Sequence, residues 1–223
     1  MLAIVIAGFM AAAAPSPLEV ARDKQDRAAL TEFAAEAGGA AAKAPNDAEA
    51  QYRAALANCY LAEVAIELRD RKAGRLIAEQ GIRFAEKSVA LKPGSAEYYR
   101  VLGTLYGQAV TDIMSGLQYG PKAKDAINKA VEKAPKSSMM YVARGVGNYY
   151  VPASLGGGSK LSIADFQKAI ELDPRNAEAY LWLGLSLRKE NRDAEARQAF
   201  AKSLELNPNR VWTKQQLEKT PAK

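Results

Sequence analysis

Five prolines set the frame of this chain: Pro45, Pro93, Pro135, Pro174 and Pro208 stand 48, 42, 39 and 34 residues apart. Before four of them the same phrase recurs, with Lys six residues ahead of the proline and Ala or Ser beside it: Lys87-Ser88, Lys129-Ala130, Lys168-Ala169 and Lys202-Ser203. Gly103, Gly145 and Gly184 each sit ten residues after a proline, with Tyr99, Tyr141 and Tyr180 four residues before them. In the first unit Ala55 and Gln51 hold those places. A phrase returning at such intervals marks stacked supersecondary units, each covering its neighbour's apolar face.

The physical sense of each unit is a helical hairpin. The small residue ten after the proline, and the Ala or Ser before the next one, let two helices approach closely, and Ile127, Phe166 and Phe200 fill the space between them. Proline then stops the second helix and opens the turn into the next unit. The last unit, with Tyr180, Leu183, Gly184, Leu187, Ala196, Phe200, Ser203 and Pro208 in register, resembles a tetratricopeptide repeat. The resemblance extends with falling strength through the earlier units. It implies an all-α, right-handed solenoid of about four hairpins, with an N-terminal helix and a C-terminal capping helix.

The expected boundaries follow the prolines: 14–44 for an N-terminal helix packing on the first repeat, then repeats over 45–92, 93–134, 135–173 and 174–208, and a cap and tail over 209–223. The first three units exceed the last by 14, 8 and 5 residues, counted between prolines. In the first, both helices are expected to lengthen, over Asp47 to about Asp70 and Gly74 to Leu91. In the third, Pro152 and Gly156-Gly157-Gly158 force a loop over 151–159. Leu18 to Lys43 reads as one helix interrupted at Gly38-Gly39, and Arg210 to Lys219 as a short helix with Val211, Trp212 and Leu217 inward.

Leu2 to Ala14 is apolar or small throughout and ends in Ala11-Ala12-Ala13, a small-residue cleavage pattern. It is shorter than the ~20 residues of a membrane span, so residues 1–13 read as a secretory signal peptide and the protein as exported, periplasmic or secreted.

The chain has no histidine and one cysteine, Cys59, which excludes histidine-based catalysis and any internal disulfide. A net charge of +6 is spread over alternating signs, which suits a solvated helical surface better than a nucleic-acid stripe. Gly158-Ser159-Lys160 has the wrong order and context for a phosphate loop. No nucleophile, base and oxyanion site assemble, so neither an enzyme nor a cofactor or metal site is expected. Cys59 falls in an Ala-rich helix and reads as a buried, inert thiol.

The expected function is an interaction scaffold binding a peptide or a partner's helix in a concave groove. The resemblance implies that the groove is lined by Glu49, Tyr52, Leu56, Cys59 and Tyr60, then by Glu97, Arg100, Thr104, Gly107 and Gln108. Met139, Val142, Val146, Tyr149 and Tyr150 continue it, followed by Glu178, Leu181, Leu185, Arg188 and Lys189. Of these, Tyr52, Arg100, Thr104, Gln108, Tyr149, Tyr150, Arg188 and Lys189 are the candidate contacts. The long first hairpin, the glycine-rich loop and the export signal are also similar to extracytoplasmic helical-repeat components of tripartite solute-uptake systems, which makes a small-ligand carrier or uptake accessory the alternative.

Overall fold

In a computed structural model, which describes residues 14–222, each unit starts at the second residue after its proline. Asp47, Ser95 and Asn176 occupy that place as helix N-caps and accept hydrogen bonds from the first-turn amides of the helices they open. These contacts satisfy donors that a helix start leaves unpaired. Ser137 holds the equivalent position without a side-chain cap.

The helices so begun are α3 (Ala48–Glu67), α5 (Ala96–Gln108), α7 (Ser138–Tyr150) and α9 (Ala177–Lys189). Each runs back antiparallel along its successor: α4 (Arg71–Leu91), α6 (Ile113–Lys133), α8 (Ser159–Leu172) and α10 (Asp193–Leu206). Before them lie α1 (Pro17–Asp23) and α2 (Arg27–Lys43), and after them α11 (Val211–Glu218). Among the described residues there is no strand, and the protein is an all-α, tetratricopeptide-repeat-like solenoid. No described helix is long and apolar enough to cross a membrane. The expected signal segment, 1–13, lies outside the described residues.

The small-residue logic is realised atom by atom. A Cβ on Gly103 would stand 2.7 Å from Ile127, one on Gly145 2.5 Å from Phe166, and one on Gly184 2.6 Å from Phe200. Only glycine lets these side chains press onto the facing helix. Phe166 and Phe200 are fully buried there, in a core that Trp182, Leu185 and the cap residues Trp212 and Leu217 complete. A second core joins the first two hairpins through Ala55, Ala62, Ala78, Val101 and Leu105. A third lays α1 and α2 on α3 through Ala21, Leu30, Leu61 and Val64.

The extra residues go where the anchors place them. In the first unit both helices lengthen, to 20 and 21 residues, against 13 and 14 in the last. In the second the surplus enters α6 as two added turns. The third holds its surplus in a loop with a short 3-10 turn, Ala153–Leu155, and Gly156 and Gly158 there take φ of 82° and 107°, a region that favours glycine.

The N-terminal helix breaks elsewhere than its glycines suggest. Gly38 and Gly39 stay inside α2, where a Cβ on Gly38 would stand 3.7 Å from the Phe84 ring, and the break falls at residues 24–26. There Gln25 has φ 55° and Asp26 caps α2 by accepting from the Ala29 amide.

Candidate functional site

The first helices of the units carry all of the predicted groove residues, and several are bonded to one another. Tyr52 stacks on Tyr98 with centroids 4.7 Å apart, donating its hydroxyl to Glu97 at 3.0 Å, while the Tyr98 hydroxyl donates to Glu49 at 3.0 Å. Arg100 is buried and grips Glu97 through two bonds of 2.7 and 2.5 Å, which hold its guanidinium protonated despite desolvation. Thr104 returns its hydroxyl to the Arg100 carbonyl, and Gln108 donates to the Cys59 carbonyl at 3.1 Å. Burial pushes the Cys59 thiol up to about 12, so it stays a protonated packing group.

Arg188 serves a different partner. It donates to the Gln216 carbonyl, the Gln216 side chain and the Thr220 hydroxyl, tying α9 to the cap helix rather than offering itself to solvent. Tyr149, Tyr150 and Lys189 do come together. Tyr150 meets Tyr149 edge-on at 5.0 Å and Trp182 at 6.0 Å, and Lys189 sits 4.6 Å from the Tyr149 ring centroid while donating to its carbonyl. Tyr150 is 58% exposed, so this aromatic corner is preformed and open.

The concave interior between the first and last hairpins is filled by a feature that the groove residues alone do not suggest. Arg210, at the start of α11, is 1% exposed and reaches Glu67 at 2.5 Å, Glu63 at 2.6 Å and Glu178 at 3.1 Å. Beside it Arg22 of α1 bonds Asp23 at 2.6 Å, approaches Glu178 at 3.4 Å and lies 5.0 Å over the Tyr60 ring. Asp23 accepts from Asn207 at 2.7 Å, Gln25 donates to Glu67 at 2.8 Å, and Gln215 donates to Gln25 at 3.1 Å. The first and last described helices thus meet across the solenoid, and the α1 segment lies as a strap in its concavity.

Four carboxylates (Asp23, Glu63, Glu67, Glu178) share two guanidiniums, so the cluster is short of positive charge. Burial raises Glu67 to about 7, against the pull of Arg210, and raises Glu63 too. Burial would also raise Glu178, but Arg210 and Arg22 together hold it low. Among the described residues no group of acidic or thiol side chains is arranged to hold a metal ion.

One sequence signal points to this cluster. The second residue after the proline is Asp47, Ser95, Ser137 and Asn176 in the first four units, all of capping type, and Arg210 in the fifth. Arg210 starts its helix without a side-chain cap, since a guanidinium has no acceptor to offer the first-turn amides, and its side chain enters the cluster instead.

Residues 157–211 match the family model described as Tetratricopeptide repeat. Among solved structures the chain is similar to TTC0263, a thermophilic TPR protein in Thermus thermophilus, at 24% identity and TM-score 0.61, over 87% of this chain and 91% of that one. It is also similar to the HusA haemophore from Porphyromonas gingivalis, at 16% identity and TM-score 0.59, over 80% of this chain and 96% of that one. At these identities the likeness is one of fold. No curated protein matches the sequence.

Proposed function

We propose that this tetratricopeptide-repeat protein is an extracytoplasmic interaction scaffold whose partner segment docks at the aromatic corner of Tyr149, Tyr150 and Lys189. The fold is that of a protein-interaction scaffold. The observation that carries the finer reading is the half-exposed Tyr150 ring, held edge-on by Tyr149 and Trp182 beside a lysine. Tyrosine dominates binding hot spots because it buries large area with few rotors and keeps a polar tip. Lys189 favours a partner segment with an acidic group next to an apolar or aromatic anchor. The strap and the Arg210 cluster fill the concavity beside this corner, which directs the partner to the open third and fourth hairpins rather than along the whole groove.

The test is capture by crosslinking in the native extracytoplasmic fraction, followed by binding measurements on variants with the captured partner. Tyr150→Ala should leave thermal unfolding unchanged and weaken binding about 30-fold, equivalent to ~2 kcal/mol. Lys168→Ala, exposed on α8, should leave affinity unchanged. A fall in melting temperature with unaltered affinity would make Tyr150 a packing residue and remove this site. Export is checked separately by N-terminal sequencing, expected to begin at or near Ala14.

A further inference from the structure

Among the described residues, all but two of the exposed large apolar side chains, Leu91 and Met139, lie along one edge of the solenoid, where first helices hand over to second helices. Their densest group is the tip of the second hairpin. Ile113, Met114 and Leu117 in the first turns of α6 are 82%, 74% and 71% exposed. They share one helical face, and Val110 and Leu76 extend the patch across the contact of Arg75 with Asp112 at 3.1 Å. Such a cluster of projecting side chains is not the ordinary scatter of surface leucines.

The charges around it are one-sided. Every acid near the tip is paired: Asp112 and Glu79 with Arg75, and Asp70 with Arg27. Arg69, Arg71 and Lys72 at the turn into α4 are exposed and have no ion-pair partner among the described residues, nor has Lys124 two turns further along α6. Further along the edge the exposed Leu155 and Leu161 flank Lys160. Apolar tips ringed by unpaired cations are complementary to an anionic interface with a hydrocarbon interior.

We propose that this edge docks the protein on an anionic lipid bilayer, with Ile113, Met114 and Leu117 entering the acyl boundary and Arg69, Arg71 and Lys72 meeting lipid phosphates. A bilayer accepts side chains that project from a convex tip, whereas a protein partner would have to present a pocket to them. A second copy of the chain would bring like charges together around the same patch. Only side chains need move, since the backbone amides and carbonyls of α6 are largely satisfied within the helix.

The test is flotation of the full chain with vesicles of phosphatidylcholine alone and of phosphatidylcholine mixed with phosphatidylglycerol, at low and at high salt. The wild type should bind the mixed vesicles, bind the neutral ones at least tenfold more weakly, and release with salt. Replacing Ile113, Met114 and Leu117 together by serine, or Arg69, Arg71 and Lys72 together by glutamate, should each weaken binding tenfold or more, with unchanged circular dichroism and melting. All arms share the same N-terminal residues, so an affinity due to those residues would leave both variants at wild-type strength and overturn the proposal. It would also be overturned if the wild type failed to bind mixed vesicles. Conversion of a wild-type dimer into a monomer by the serine variant would overturn it as well, because the patch would then pair copies of the chain. An independent readout is Ile113→Trp, whose fluorescence should be quenched by brominated acyl chains above the level of the native Trp182 and Trp212; equal quenching would place the tip in water.

Discussion

Arg210→Ala is expected to destabilise the protein by about 3–5 kcal/mol near neutral pH, among the largest effects of any single substitution. The substitution leaves Glu63, Glu67 and Glu178 in the interior without their shared cation. Uncompensated buried charge costs more than the lost bonds themselves. The loss should depend on pH in a stated direction. Glu67 is raised on folding from its ordinary 4.5 to about 7, so its stabilising contribution is fully present below about 4.5 and is lost as pH rises through 7. Glu178 and Glu97 are held low on folding, so their contribution is present above about 4.5 and lost as pH falls further. The wild type should therefore be most stable in mildly acidic solution. In Arg210→Ala the carboxylates lose the charge that keeps them ionised, so its deficit by urea unfolding should be larger at about pH 8 than at about pH 5. A deficit under about 1 kcal/mol at both pH values would mean that Arg210 is solvated and the cluster is not formed.

Phe166→Ala should cost about 3–5 kcal/mol, since the ring is fully buried and its loss leaves a cavity between α7 and α8. The same contact makes a prediction of opposite form at Gly145. A helical Gly→Ala change normally gains up to ~1 kcal/mol. Here the added Cβ would stand 2.5 Å from the Phe166 ring, and overpacking of this kind costs about 1–3 kcal/mol. Gly145→Ala alone should therefore destabilise, whereas in a Phe166→Leu background the clash is relieved and the same change should be neutral or stabilising. Urea unfolding of the two single variants and the double variant decides it. If Gly145→Ala proves stabilising in the wild-type background, the close approach that defines each hairpin is looser than described.

What could be read from the sequence was local and repeated. Gly103, Gly145 and Gly184 announced where helices touch, and Ile127, Phe166 and Phe200 are the residues that touch there. The glycines at 156–158 announced a loop, and the surplus of the first unit fell into longer helices. Gly38-Gly39 misled because a helix packed on its neighbours tolerates glycine, while the break at Gln25-Asp26 depends on a left-handed residue and an aspartate cap of ordinary composition. The assignment of Arg188 to the groove came from position alone. The approach of Gln216 and Thr220 depends on how the cap helix turns back, which spacing does not encode.

Closure of the solenoid was hidden for a deeper reason. It arises from small rotations added over successive hairpins, until residues about 140 to 190 positions apart in sequence share hydrogen bonds. No single unit contains that sum. Even so, the arginine standing where four other units place a capping residue was visible, and it is the residue on which the closure turns.

The energetic coupling between Arg210 and Glu67, separated by 143 residues, tests that closure most directly. Urea unfolding of the wild type, Arg210→Ala, Glu67→Gln and the double variant gives the coupling as the departure from additivity. With α11 joined to the first hairpin through the buried cluster, the double variant should be more stable than the sum of the single losses predicts, by about 1–3 kcal/mol. Additivity within ~0.5 kcal/mol would contradict the closure and leave the solenoid open in solution.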